Sequence, residues 1–274
     1  MRATVFLGGG RITSALIAGL RLANYTQPII VHDRHPEKLR ALKKQCKIAT
    51  EANLRRAVTE AGLLIVAVRP DSIRELLNEI GNVNRPLLAV SVAAGIPLSD
   101  LRAGLGPPVK WARTMPSPVS RIGQGLIGVA FPAELSARDR RAVSNFFAHF
   151  GVVIEVPEAQ FDIFTATYSC SHGYHALATL ARAAEKLGLD HNIALTAAAH
   201  ALADGIFSWR QGNVPLEDLL EEAATPGGIA ATVMATMDKG RFQALVETSL
   251  RAGVARARAN SRLVKATGTG ATKR

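Results

Sequence analysis

Cysteine is almost absent from this sequence, which has only Cys46 and Cys170 among 274 residues. Two cysteines so far apart exclude the disulfide framework that holds small secreted domains together, and we expect two reduced thiols. The hydrophobic fraction of 48% is that of an ordinary globular protein with enough apolar side chains for a core. The length predicts two domains or one large one.

Long apolar runs are also missing. No uncharged apolar segment reaches the ~18 residues that a membrane-spanning helix needs. The amino terminus, MRATVFLGGG, has neither the apolar stretch nor the cleavage site of a signal peptide. These absences predict a cytoplasmic protein without a membrane partner.

The signatures of nucleic-acid-binding proteins are absent too, although the formal net charge is +11. There is no helix-turn-helix pattern, no zinc finger and no interleaving of aromatic with basic residues. The basic residues are scattered among alanines and leucines, so we interpret the charge as a solvated surface or as a field that attracts anionic ligands. We expect no nucleic-acid partner.

Strand-like and helix-like segments alternate through about residue 157. The apolar runs ATVFL (3–7), LLIVAV (63–68) and PLLAVS (86–91) are typical of strands buried on both faces, and helical patterns separate them. This alternation predicts a parallel, doubly wound sheet, which is a Rossmann-like α/β domain. Residues 162–265 are rich in alanine with almost no strand signal, so they predict an all-α second domain.

A glycine triplet follows the first strand and opens the first helix, which is the context that a dinucleotide-binding fingerprint requires. Gly8 would permit the tight turn, and Gly10 would let a pyrophosphate approach the backbone beside Arg11 and Ile12 at the helix N-terminus. The third position of the fingerprint is Thr13 rather than Gly or Ala, so the pattern is imperfect.

The end of the second strand bears on the choice of cofactor. Asp33 lies where an acid usually holds the adenosine ribose, which favours NAD. Arg34 and His35 follow directly, and an arginine there favours NADP because its guanidinium pairs with the 2′-phosphate. We favour NADP(H) on the two basic residues and keep NAD(H) as the alternative.

Seven segments carry a resemblance to a known family: FLGGGRITSALIAGL, HDRHPEKLRAL, VAVRPDSI, SVAAGIPLSDL, RTMPSPVSRIGQG, TPGGIAATVMATMDKGRF and RARANSRL. Through them the chain resembles the pyrroline-5-carboxylate reductase family along nearly its whole length. The resemblance implies a Rossmann domain, a helical domain that dimerises, and reduction of a cyclic imine acid by hydride from a nicotinamide.

The sequence pattern and the resemblance together predict domain bounds and a cofactor site. The bounds are residues 1–158 for the dinucleotide-binding domain, 159–265 for the helical dimerisation and substrate domain, and 266–274 for a disordered tail. Cofactor contacts are expected from Gly8, Gly10, Arg11, Ile12, Asp33, Arg34, His35, Asn53, Val68, Arg69, Pro70, Ala93, Ala94 and Gly95.

The sequence departs from the family on the substrate side. Ser117 replaces the family's asparagine after Met-Pro, and Ala230 occupies the position of a hydroxyl residue near the imine nitrogen. Thr225 keeps a hydroxyl before Pro-Gly-Gly, and the backbone of Gly227 and Gly228 could hold a substrate carboxylate. These departures predict an altered substrate pocket.

The largest departure is TATYSCSHGYH, where the family has small, glycine-rich positions. Cys170, His172 and His175 could be metal ligands, but zinc needs three or four ligands at recognised spacing, so we predict no metal. Cys170 lacks a nucleophile signature. We favour Tyr168 or His172 as the proton donor that Ala230 cannot be, and packing at a dimer interface is the alternative.

We therefore predict an NAD(P)H-dependent oxidoreductase that reduces the C=N bond of a small imine acid as a homodimer or higher homo-oligomer. Three alternatives remain open. The protein could be a genuine pyrroline-5-carboxylate reductase with a relocated proton donor, a different reductase or dehydrogenase acting on a carbonyl or a larger imine, or a non-catalytic or regulatory NADP-binding homologue.

Overall fold

The computed structural model describes residues 2–266, with side chains in the last helix described to residue 262. The tail predicted for residues 266–274 lies outside these residues, apart from Ala266 at the end of the last helix.

Eight strands form one sheet in the order β3-β2-β1-β4-β5-β6-β7-β8. Strands β1 to β6 are parallel, as the alternation of strands and helices predicts. The strands are β1 (Ala3–Leu7), β2 (Ile29–His32), β3 (Ala49–Thr50), β4 (Ala61–Val66), β5 (Leu87–Ser91), β6 (Val109–Met115), β7 (Gly125–Ala130) and β8 (Gly151–Glu155).

The expectation of a wholly parallel sheet is wrong at one edge, because β7 runs antiparallel to β6 and β8 runs parallel to β7. Only residues 116–124 join β6 to β7, and they hold a short 3-10 turn (Pro118–Ile122). A parallel return needs a crossover of a dozen or more residues, usually a helix. The short connection therefore reverses the chain.

Twelve α-helices lie in the described residues. They are α1 (Arg11–Leu22), α2 (Pro36–Cys46), α3 (Leu54–Glu60), α4 (Ile73–Ile80), α5 (Leu98–Gly104), α6 (Ala137–Phe147), α7 (Phe161–Thr167), α8 (Cys170–Lys186), α9 (His191–Gln211), α10 (Leu216–Ala223), α11 (Ile229–Lys239) and α12 (Phe242–Ala266).

Two apolar cores cover the two faces of the sheet. Successive strand residues alternate between them: Leu64 and Val66 lie in one core and Ile65 in the other. The side chains of a strand alternate across the sheet, so an uninterrupted apolar run fits a strand that is covered on both faces. This explains why the central strands read as continuous apolar runs.

The chain divides into two compact units, and the division differs from the predicted bound at residue 158. The first unit comprises residues up to Tyr168 together with those from Ala252 onward. Helix α7 belongs to it because Phe161 is buried in a small core with Ala130, and a Cβ on Gly128 would overlap the ring of Phe164.

The second unit, Ser169–Arg251, contains α8 to α11 and the first part of α12. Its buried side chains within the described residues are small: Ala181, Ala194 and Ala198. Large apolar side chains stay exposed, among them Ile193, Leu195, Ile206, Phe207, Trp209, Ile229, Val233 and Leu245. Exposed apolar surface of this extent is typical of a protein-interaction surface.

No helix within residues 2–266 combines the length and hydropathy needed to span a bilayer.

Candidate active site

The glycine loop between β1 and α1 has a different requirement at each position. Gly8 has φ +106°, and a Cβ there would lie 2.6 Å from the carbonyl oxygen of Ala67, so only glycine fits. Gly10 is the N-cap residue of α1 and has no side chain that could accept from the helix amides. A Cβ added there would meet no atom within 4 Å. The space over Gly10 and the free first-turn amides of α1 therefore suit a phosphate.

Thr13, the imperfect position of the fingerprint, has a structural role in this loop. Its side chain is fully buried, and its Oγ1 donates a hydrogen bond to the carbonyl oxygen of Gly8 at 2.5 Å. The hydroxyl ties the first turn of α1 to the loop, so the departure from Gly or Ala is accommodated.

Asp33 joins the end of β2 to the glycine loop. Its Oδ2 accepts from the Gly9 amide at 2.7 Å, and its Oδ1 accepts from the His35 amide at 2.9 Å and lies 2.8 Å from His35 Nδ1. Burial, the largest single effect, raises the pKa of Asp33. The hydrogen bonds from Gly9 and His35 and the charge of Lys38 together outweigh it and hold that pKa below its ordinary value.

A cleft of about 430 Å³ opens beside this loop. Seven of the predicted cofactor residues line it: Gly8, Gly10, Asp33, Arg34, His35, Val68 and Arg69. Sequence reasoning missed the other lining residues, which are His32, Lys38, Ala67, Ser72, Glu75, Leu76 and Glu79. Four of those follow one another at helical spacing from Ser72, just before α4, to Glu79, so the sequence could have placed them on one helix face but not beside the glycine loop.

The charges around the cleft are mixed. Arg34 Nη1 lies 3.1 Å from Glu75 Oε2, and the two side chains are 59% and 69% exposed. Pairs this exposed contribute about 0–1 kcal/mol, so a bound anion can compete for Arg34. Lys38 Nζ lies 3.3 Å from His35 Nδ1, which adds a second cation to the same side of the cleft.

The remaining predicted cofactor residues lie outside the cleft lining. Arg11 is exposed on the first turn of α1, and Ile12 packs against an apolar core. Asn53 caps α3 by accepting from the Arg56 amide at 2.9 Å, so its carboxamide oxygen has a structural partner. Pro70 begins a 3-10 turn after β4.

The segment Ala93–Gly95 follows β5 and packs against the end of α12. Gly95 has φ +76°, and a Cβ on it would overlap the carbonyl of Ala257. The carbonyl oxygen of Ala94 accepts from Asn260 Nδ2 at 3.1 Å. The contact with α12, 166 residues away in the sequence, explains why a glycine is needed there.

The two candidate proton donors lie in different units. Tyr168, in the first unit, has its hydroxyl 2.8 Å from the Leu126 amide, which donates to it, and 3.0 Å from Ser117 Oγ. Ser117 is buried just after the end of β6. His172, in the second unit, is exposed on the first turn of α8.

The candidate metal ligands of the same stretch do not form a cluster. Within the part of the chain that the structure describes, no group of three His, Cys, Asp or Glu side chains could hold a metal ion. Cys170 is the first residue of α8. The stretch TATYSCSHGYH spans the end of α7 and the start of α8.

The predicted carboxylate-binding residues form the turn before α11. The Gly228 amide donates to the carbonyl oxygen of Thr225 at 2.9 Å, and Gly227 has φ +75°. Gly228 caps α11 without a side-chain hydrogen bond, so the first-turn amides of this helix are suited to an anion. Ala230 is the second residue of α11.

Comparisons with known proteins match both halves of the chain. A family model described as NADP oxidoreductase coenzyme F420-dependent matches residues 4–95, and one described as pyrroline-5-carboxylate reductase dimerisation matches residues 158–260. The pyrroline-5-carboxylate reductase of Pseudomonas aeruginosa is 27% identical over 90% of this chain and 92% of its own length. That of Haemophilus influenzae is 28% identical over 92% of this chain and 94% of its own length.

The chain is thus similar to pyrroline-5-carboxylate reductases over about nine-tenths of its length, and residues 158–260 match their dimerisation model. Solved structures of the family share its fold. A Plasmodium falciparum pyrroline carboxylate reductase with NADP bound has a TM-score of 0.84 at 22% identity, covering 95% of this chain and 98% of that one. The Coxiella burnetii enzyme has a TM-score of 0.85 at 23% identity, with the same coverage.

Proposed function

We propose that this protein is an NAD(P)H-dependent reductase of the carbon–nitrogen double bond in a small imine acid, of the pyrroline-5-carboxylate reductase type. The observation that carries the proposal is the cleft over Gly10, at the N-terminus of α1, which has no side-chain cap, in a chain whose residues 158–260 match the dimerisation model of these reductases. The nicotinamide, when bound, supplies the hydride, and the imine nitrogen takes a proton.

The residues around the cleft fit a dinucleotide phosphate. The amides at the start of α1 would hold the pyrophosphate, since the space over Gly10 is open. Arg34, His35 and Lys38 line one side of the cleft and would pair with a 2′-phosphate. Both oxygens of Asp33 already accept hydrogen bonds within the chain. We therefore favour NADPH, with NADH as the alternative.

The substrate carboxylate is assigned to the turn before α11. Thr225 contributes a hydroxyl, and the backbone of Gly227 and Gly228 leads into helix amides that lack a side-chain cap. A helix N-terminus favours a negative charge, so a small imine acid would be held by its carboxylate. The wider substrate pocket is proposed to differ from that of the family because Ala230 has no hydroxyl.

The proton for the imine nitrogen is assigned to Tyr168 or His172. The Leu126 amide occupies an acceptor position of the Tyr168 oxygen, so the phenol proton can go to Ser117 or to a ligand. An imidazole is equally suited to general acid catalysis near neutral pH. Loss of activity in His172→Ala with wild-type activity in Tyr168→Phe would assign the donor to His172, and the reverse to Tyr168.

Homo-oligomer formation is proposed to use the helical unit. Its buried side chains within the described residues are small alanines, whereas Phe207, Trp209 and Leu245 are exposed. Burying that surface against a second copy removes apolar area from water, which stabilises an assembly by about 25 cal/mol per Å² before association costs. Sedimentation equilibrium should therefore give a mass of twice 29.1 kDa or a higher multiple.

The reductase proposal is tested by incubating the protein with NADPH and a cyclic imine acid, first pyrroline-5-carboxylate. NADPH oxidation is measured as the loss of its absorbance, and the assay is repeated with NADH. Complementation of a proline auxotroph gives an independent measure, and growth would favour a genuine pyrroline-5-carboxylate reductase over an altered pocket. Tight NADPH binding without turnover of any imine would contradict the catalytic proposal and favour a regulatory homologue.

Gly10→Ala is the sharpest variant for the cofactor assignment. Gly10 has φ −81°, and an added Cβ would meet no protein atom within 4 Å, so the fold should be unchanged. The methyl group would instead meet the pyrophosphate, and we expect NADPH affinity to fall by about tenfold or more. Gly106→Ala is the matched control, since a Cβ there makes an ordinary 3.4 Å contact away from the cleft. Equal affinity in the two variants would contradict the assignment.

A further inference from the structure

The last helix of the chain contacts the loop that follows β5. Asn260 Nδ2 donates to the carbonyl oxygen of Ala94 at 3.1 Å, and Ser261 Oγ donates to Asp100 Oδ2 at 2.8 Å. Ala257 is 7% exposed, and its carbonyl lies so close to Gly95 that no Cβ fits between them. One stretch of helix therefore holds this loop and the start of α5, within a single compact unit.

The position of this loop in the sheet gives the contacts a consequence for the cofactor. Strand β5 pairs in parallel with β4, and the Val92 amide donates to the carbonyl oxygen of Val66 at 3.0 Å. Strand β4 leads directly into Ala67 and Val68, which line the cleft. The loop after β5 thus continues the carboxyl edge of the sheet, where open α/β sheets bind their ligands.

Hydrogen bonds hold the Ala93–Gly95 loop at its first and middle residues. Ser91 Oγ accepts from the Ala93 amide at 3.2 Å, which fixes the start of the loop. At Ala94 the backbone is held by the carboxamide of Asn260. Gly95 has a left-handed backbone and no side chain of its own, so the neighbouring contact from Asn260 helps to set the conformation of the loop.

We propose that Asn260 is a positioning residue for the nicotinamide half of the cofactor. This inference rests on the proposed function. Asn260 fixes the carbonyl of Ala94, so that the backbone of Ala93–Gly95 presents one surface to the nicotinamide. The adenosine half is held by the cleft around Gly10 and Arg34, which Asn260 does not line. The two halves of the cofactor therefore depend on different residues.

The experiment compares a whole cofactor with a fragment that lacks the nicotinamide. NADPH binding is followed by its fluorescence, and binding of 2′,5′-ADP, which contains only the adenosine half, by calorimetry. Asn260→Ala removes the donor. Asn260→Asp keeps the side-chain volume but sets an oxygen against the carbonyl of Ala94. Ser261→Ala is the control, since it removes a neighbouring hydrogen bond of the same helix to α5 instead of to the loop.

We expect NADPH affinity to fall about tenfold in Asn260→Ala, as for loss of one hydrogen bond, and further in Asn260→Asp. The affinity for 2′,5′-ADP should stay within about twofold in both variants, and Ser261→Ala should leave both ligands within about twofold. The KM for NADPH should rise in parallel with its dissociation constant.

Two results would overturn the inference. One is unchanged NADPH affinity in Asn260→Asp. The other is an equal loss for NADPH and 2′,5′-ADP, since that would indicate a general loss of structure. If Asn260→Ala folds poorly, the isosteric Asn260→Asp decides alone. If the wild-type protein binds neither ligand, both the proposed function and the inference are overturned. If the wild-type protein reduces the imine and Asn260→Asp binds NADPH with unchanged affinity, only the inference is overturned.

Discussion

Replacing Asp33 with asparagine tests whether its carboxylate holds the glycine loop. The side chain is 8% exposed and accepts from two backbone amides, those of Gly9 and His35, while His35 Nδ1 lies 2.8 Å away. In the Asp33→Asn variant, one oxygen remains and the other acceptor becomes an NH₂ group that faces a donor. One charge-assisted hydrogen bond is therefore lost and a buried donor is left unpaired.

The expected cost follows from the energies of such bonds. Hydrogen bonds to charged groups contribute about 1.5–3 kcal/mol each, so Asp33→Asn should lower the free energy of unfolding by about 2 kcal/mol. For a chain of this size, that corresponds to a fall in Tm of about 4–8 °C. Cofactor affinity should fall as well, because the loop that receives the pyrophosphate is held by the same carboxylate.

The pH dependence supplies an independent check of the same reasoning. The folded-state pKa of Asp33 is lowered, so its ionised form is favoured by folding. Its contribution to stability is present above the unfolded pKa of about 3.9 and is lost as the pH falls through the lower folded value. The difference in Tm between wild type and Asp33→Asn should therefore be full at pH 7 and narrow only below about pH 4.

Thermal unfolding at a series of pH values, with NADPH titrations at pH 7, measures both effects. Asp71→Asn is the matched control: that carboxylate is 52% exposed and lies 3.6 Å from Arg69 Nε, so its removal should lower Tm by less than Asp33→Asn does, at most about 4 °C. A Tm for Asp33→Asn equal to that of wild type at pH 7 would refute the role assigned to the carboxylate.

Three further predictions test other parts of the first unit. Glu75→Gln releases Arg34 from its exposed pair, so NADPH should bind about two- to threefold more tightly at low salt in a fluorescence titration, and weaker binding would contradict the assignment. Arg113→Ala leaves the carboxylate of Glu158 without the guanidinium of Arg113, whose side chain is 3% exposed. The free energy of unfolding in urea should therefore fall by about 3–5 kcal/mol, and a fall below about 1 kcal/mol would refute a structural role. Tyr168→Phe should lower kcat about a hundredfold with KM nearly unchanged if the phenol gives the proton, and unchanged kcat would exclude it.

Some features of the site could be read directly from neighbouring residues. A strand, a glycine triplet and a helix follow one another in the chain, so Gly8 and Gly10 had to meet at one turn. Asp33, at the end of the next strand, was expected beside that turn because β1 and β2 are neighbours in a sheet of this class. The family resemblance along the chain was confirmed by the comparisons with both halves.

Other features depend on contacts that no local pattern records. The reversal of β7 follows from the length of one connection rather than from its apolar pattern. The orientation of Asp33 towards Gly9 depends on where the loop lies in space. The α4 residues that line the cleft lie at helical spacing, but that spacing does not determine which other element they contact.

The sequence by itself therefore determined the class of each half and the position of the glycine loop, because these depend on order and periodicity along the chain. The family resemblance rests instead on matching segments. Only the tertiary structure decided which side chains share the cleft, why Gly95 must be glycine, and that Asn260 contacts a loop 166 residues earlier. Those properties arise from distances between segments remote in sequence, which are set by packing of the whole unit. The segment TATYSCSHGYH illustrates the difference. Its composition is visible in the sequence, but only the structure shows that the Leu126 amide donates a hydrogen bond to the Tyr168 hydroxyl.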